Sequence, residues 1–220
     1  MHDVERMFRE KILAENFSCV GAKASINRLT YQFCLLDKMA SDESTGELYQ
    51  ALQYFASART TLDKHFASFI ACFANHCNIK PEEFENLLWL QLQMLHEVDQ
   101  FPWDKSVSKD VNNPRFSFSI AGQSYFIIGL CPNHPRKCRD FYYPTLVFNS
   151  HHQFNFLKQS QLFYKIQKTV RARELHYSGS INPNLIEFEG HSEALQYSGF
   201  KASLSKQCPF NFTSKEKESC

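Results

Sequence analysis

The apolar residues of this chain change their period part-way along it, from helical to strand-like and back, and that switch limits the folds open to it. In the middle, "RFSFSI" alternates, "AGQ" supplies a turn and "SYFIIGL" follows, which is a hairpin signal; "PTLVFN" reads as a third strand. Between the hairpin and that third strand, the prolines of "CPNHPRKCRDFYY" make a loop. Helical spacing flanks the region. "VERMFREKILAE" is amphipathic, and "STGELYQALQYFASARTTLD" follows a Ser/Thr cap with Leu48, Leu52 and Phe55 on one face. "KPEEFENLLWLQLQMLHEVD" opens on Pro81 and two glutamates and aligns Phe84, Leu87, Leu88, Leu92 and Leu95. A fourth helical run, "QSQLFYKIQKTVRARELH", ends at "YSGS". Helices at both ends around a small, mainly antiparallel sheet predict an α+β fold.

A length of 220 residues suits one domain, 1–220, with a polar tail over 211–220. Twenty-one phenylalanines against seven glycines predict an aromatic core able to enclose a flat apolar ligand. A net charge of +1 gives no field for a polyanion, which argues against nucleic acid as a partner. The first residues, "MHDVERMFREKILAEN", lack the apolar core of a signal peptide, and no run is long and apolar enough to cross a membrane. A soluble, cytoplasmic protein is expected, with its eight cysteines reduced. No CxxC, GxGxxG, P-loop, HExxH, GxSxG or triad spacing is present.

Candidate chemistry gathers after the third strand and in the proline loop. Asn149 or Ser150 can cap a helix starting at His151, where the helix dipole opposes positive charge and suits a ligating imidazole. The plainer reading is that His151 or His152 packs or bonds to the preceding loop. In the loop, Cys131, His134 and Cys138 have a C-x2-H-x3-C spacing that holds zinc if Cys208 or another histidine closes the tetrahedron. Arg136 and Arg139 can clamp a carboxylate or propionate, or simply face water. Cys131-Pro132 and Cys208-Pro209 raise thiolate ligation of haem. His96 and its aromatic helix read as core.

Taken in order, "FSCVGAKAS", "LLWLQLQMLHEVD", "PWDKSVSKD", "RFSFSIAGQSYFIIGL", "YPTLVFNSHHQFNFL", "GSINPNL", "SEALQYSG" and the closing "CPF" resemble the YqcI/YcgG family over residues 17 to 210. Members characterised as enzymes are haem-dependent N-oxygenases, such as pre-guanitoxin N-hydroxylase and the arginine hydroxylase of cycloserine biosynthesis. The resemblance implies haem b (iron protoporphyrin IX), O2, an external electron donor and a small guanidine or amino-acid-like substrate, and it leaves room for a homodimer. The family pattern N-x-H-x-Q-F falls on Asn149, His151, Gln153 and Phe154, which makes His151 the leading iron ligand and sets His152 aside. Where relatives read G-x-H-P this chain has "GLCP", so Cys131 replaces a second histidine; it, Cys208 or His134 are the alternative ligands. By the same resemblance Arg136, Arg139 and Lys23 are propionate partners, and Cys19 and Cys208 pack near the haem or ligate it. Glu193, Gln196, Tyr197 and Asp104 are the acceptors for a cationic substrate. Beside this stand two other expectations, a non-catalytic haem sensor or carrier and a zinc-stabilised binding domain.

Overall fold

The structure is a computed structural model, described for residues 3–58, 66–76, 79–153, 162–180, 190–200 and 210–212. Among the described residues five strands form one mixed sheet: β1 Tyr31–Leu36, β2 Ser68–Phe73, β3 Phe118–Ile120, β4 Gln123–Leu130 and β5 Thr145–Ser150. Their order is β1-β2-β5-β4-β3, with β1 and β2 parallel and every other pair antiparallel. Parallel neighbours need a crossover, and α3 (Asp42–Ala58) supplies it between β1 and β2. Other helices are α1 (Asp3–Leu13), α2 (Val20–Arg28), α4 (Pro81–Val98) and α5 (Leu162–Ser178); a 3-10 turn, η1, covers Glu193–Gln196.

Helices cover both faces of the sheet. On one, α3 and α4 pack Leu48, Leu52, Phe55, Phe84, Leu88 and Leu92 against Phe69, Phe73, Ile127, Leu146 and Phe148. On the other, Val4, Phe8 and Ile12 of α1 and Ile26 of α2 meet Ile70 and Cys72. All six residues of β2 are therefore buried. Gly129 lets β4 pass beneath α4, since a Cβ there would meet Phe84 Cε1 at 2.7 Å and Leu88 Cδ1 at 2.9 Å. The hairpin turns at Ala121 (φ 52) and Gly122 (φ 71), the two left-handed residues of a type I′ turn. Asp99, just past α4, accepts from the Ala121 N–H at 3.1 Å and ties that turn to the helix end.

The α+β fold and the mainly antiparallel sheet are as expected from the sequence, but β1, β2 and α2 are additions. The helix expected from "STGEL" begins earlier, at Asp42, with Ser41 Oγ accepting from the Ser44 N–H at 3.3 Å. Pro81 does open α4, and Gly179 (φ +73) closes α5 with its N–H on Leu175 O at 3.0 Å. His96 lies among Trp103, Phe210 and Phe212, in the core as expected. Among the described residues no helix is long and apolar enough to cross a membrane. The tail beyond 212 lies outside the described residues.

Candidate functional site

β5 runs out at Ser150, opposite Tyr125 of β4, and residues 151–153 turn into a helix. Of the two expected caps, Asn149 and Ser150, Asn149 does not serve. Its side chain is taken by neighbouring strands, accepting from Ser68 Oγ at 2.8 Å and donating to Phe126 O at 3.4 Å. His151 is the first residue of the turn, and its Nε2 lies 2.7 Å from Glu193 Oε2. A carboxylate only accepts, so Nε2 carries the proton and donates.

Glu193 comes from η1, whose Ser192 cap accepts from Ala194 N at 3.2 Å. Its other oxygen, Oε1, accepts the Tyr197 hydroxyl at 2.6 Å, and that hydroxyl accepts the Phe118 N–H at 3.0 Å. Tyr197 is fully buried, its ring 5.5 Å from and stacked on Trp89. Burial, reinforced by the Glu193 charge, pushes the phenol well above its ordinary range, so it stays a donor. His151, Glu193 and Tyr197 thus form one relay from a half-buried imidazole to the buried backbone of β3.

The same short segment is fastened at its other end by the proline loop. Arg139 is buried and donates to Gly129 O (2.9 Å), Tyr197 O (3.0 Å) and Gln196 O (3.0 Å). His134 accepts from Arg136 N at 3.0 Å through Nδ1 and donates from Nε2 to Ser198 O at 3.2 Å. Burial, then the Arg139 charge, push His134 down to about 4, so the ring is neutral. Gly199 (φ +78) admits this packing, because a Cβ there would lie 3.2 Å from His134 Nε2 and 3.3 Å from Arg139 Cζ. Arg136 reaches Glu174 of α5 at 3.5 Å, and Glu174 also accepts from Cys138 Sγ (3.2 Å) and Ser178 Oγ (2.9 Å).

Six sequence-predicted residues therefore meet around residues 193–198: His151, Glu193, Gln196, Tyr197, Arg139 and His134. Others lie apart. Lys23 is half-buried and donates to Ala14 O and Glu15 O behind α1. Cys19 caps α2, its Sγ accepting from Ala22 N at 3.5 Å. Asp104 accepts from the Ser106 N–H and hydroxyl with Oδ1 and from those of Ser124 with Oδ2. Partial burial opposes its charge, and these donors outweigh it and lower its pKa. Cys131 is buried in the core beneath α4, where burial and then Asp140 push its thiol up to about 12. Cys208 lies outside the described residues, and His152 is exposed at the turn.

Haem is the group the resemblance implies, and the side chains meet that demand unevenly. His151 fits, because a carboxylate on one ring nitrogen orients an imidazole and raises the basicity of the other, as at metal-ligating histidines. Arg139 does not fit as a propionate clamp, since it is buried and its Nη1 and Nη2 donate to three backbone carbonyls. Cys131 fits poorly as a thiolate. The Cys131 thiol is packed in the core while His134 and Cys138 have separate partners, and among the described residues no three His, Cys, Asp or Glu side chains converge to hold a metal ion.

The sequence model of the YqcI/YcgG family matches residues 8–211. The chain belongs to the YqcI/YcgG family. Among similar proteins, the uncharacterized protein YcgG of Bacillus subtilis (strain 168) is 24% identical over 211 residues, covering 90% of this chain and 82% of its own. The uncharacterized protein YqcI of the same organism is 28% identical over 205 residues, covering 88% and 80%. No solved structure matches the chain. In this YqcI/YcgG protein, residue patterns pointed to His151 but not to its relay. Glu193 and Tyr197 are four apart in sequence, a spacing that lets side chains meet in a helix, and that was the available signal. Glu174, Ser198 and Gly199 carried none.

Proposed function

We propose that the protein is a haem-dependent N-hydroxylase acting on a guanidine or amine nitrogen of a small amino-acid-like substrate, with O2 and electrons from a separate donor. The observation that carries this reading is the 2.7 Å contact between His151 and Glu193 at the strand end where the family pattern places the histidine. When bound, haem would supply the activation of O2 at iron. The chain's own residues do the rest. His151 would hold the iron. Glu193 fixes the ring and its protonated nitrogen, and Tyr197 fixes Glu193.

With both carboxylate oxygens engaged inside the protein, Glu193 acts as a positioning residue for His151, and the role of substrate acceptor passes to Gln196. Gln196 Oε1 is buried and has no hydrogen-bond partner among the described residues. Side chains three apart in a 3-10 turn eclipse one another, which sets Gln196 on the same side as Glu193. An unpaired buried carbonyl costs about 1–3 kcal/mol, and a substrate N–H would recover it. Gln153, two residues past His151, carries the same kind of unpaired oxygen.

Hemin titration followed by mass spectrometry tests the reading. Haem-loaded protein given O2, a reductant and a panel of guanidines including arginine should yield a product heavier by one oxygen. Haem binding with no such product on any of them would leave a sensor or carrier in place of an enzyme.

A further inference from the structure

The two edges of the sheet are unlike. β3 is three residues long, and the chain just before it is occupied by a bridge between Ser108 and Phe116. β1 is six residues long, "YQFCLL", with no charge, no proline and no bulge, the devices that normally guard an exposed edge. Among the described residues no strand pairs with its outer side.

The register says which backbone groups face outward. β1 pairs with β2 as Tyr31↔Ser68 through Leu36↔Phe73. Thr30 O accepts from Ser68 N at 3.3 Å and Leu36 O from Ala74 N at 2.9 Å, so the even residues point inward. The N–H and C=O of Tyr31, Phe33 and Leu35 therefore point away from the sheet. An antiparallel copy centred on Phe33 pairs Phe33 with its own equivalent and Tyr31 with Leu35. That closes about six backbone hydrogen bonds about a two-fold axis. It sets aromatic and aliphatic side chains across from one another, which are favourable cross-strand pairs. The strand itself carries no charged residue to oppose that pairing.

We propose that β1 is a self-association edge, and that a second copy of this chain docks on it as an antiparallel strand to make one continuous sheet across a two-fold dimer. In this register Gln32 faces Cys34 of the partner copy as a non-hydrogen-bonded pair, with Cα atoms about 4.5 Å apart, within disulfide reach.

Sedimentation equilibrium and light scattering on the full chain, from low to high micromolar, should show dimers. Gln32→Lys, a guard of the kind edges normally carry, should shift them to monomers while circular dichroism stays unchanged. Gln32→Cys under mild oxidation should give a covalent dimer whose cross-link, mapped by mass spectrometry, joins position 32 to Cys34. Monomers throughout, dimers indifferent to Gln32→Lys, or a cross-link that maps elsewhere would each overturn the proposal.

Discussion

Replacing Tyr197 with phenylalanine removes one oxygen and leaves the ring on Trp89, so its cost can be worked from two contacts. Glu193 Oε1 loses a 2.6 Å hydrogen bond, and the buried Phe118 N–H loses its acceptor at 3.0 Å. A hydrogen bond to a charged group contributes about 1.5–3 kcal/mol and a stranded buried donor costs about 1–3 kcal/mol; the two overlap, giving about 3 kcal/mol together. For a chain of this size each kcal/mol moves the melting midpoint by about 2–4 °C, so Tyr197→Phe should melt about 6–12 °C below the wild type. Tyr54→Phe, at a ring 67% exposed, is the control and should change little. Thermal and urea unfolding read both. A loss under about 1 kcal/mol would refute the reasoning, because it would mean that the Tyr197 hydroxyl is not holding a buried carboxylate and a backbone donor at once.

Four further outcomes follow from the same geometry. Gln196→Leu should raise the melting midpoint, since it removes an unpaired buried oxygen, while weakening stabilisation by any guanidine that binds; thermal shift with and without arginine reads both arms. Gly199→Ala should cost about 2 kcal/mol in urea unfolding, from a positive φ and from contacts with His134 and Arg139 closer than 3.4 Å. His134 has a folded pKa of about 4 against 6.5 when unfolded, so between those values the unfolded chain binds the extra proton. Stability is thus full above pH 6.5 and falls as pH drops toward 4, and His134→Gln should flatten that limb of the urea midpoint against pH. Tyr197 is shifted the other way, well above its ordinary value of 10.0. Stability should therefore fall as pH rises past 10, less steeply in Tyr197→Phe than in the wild type.

The outer helices and the hairpin were legible because each presents one apolar face at a clear period and is bounded by Pro81, Gly122 or Gly179. β2 was not. A strand buried on both faces, "SFIACF", reads as an unbroken apolar run and has no alternation to detect. α2 is nine residues long and is capped by a cysteine, Cys19, where serine, threonine, aspartate or asparagine would have announced a start. At the site, the family pattern marked His151, yet which carboxylate serves it depends on η1 folding back over β4 from forty residues away. Sequence spacing carries no trace of that return. Arg139 illustrates the same limit, because an arginine in a proline loop reads as solvated and only the packed segment 196–199 makes it a buried clasp.

Hemin titration of the wild type and of His151→Ala bears most directly on the proposed centre. The wild type should take up hemin in equal stoichiometry with a Soret band of histidine-ligated haem, Glu193→Gln should shift that band, and His151→Ala should lose both the band position and tight binding. An unchanged Soret position and affinity in His151→Ala, or no hemin uptake by the wild type, would contradict the account.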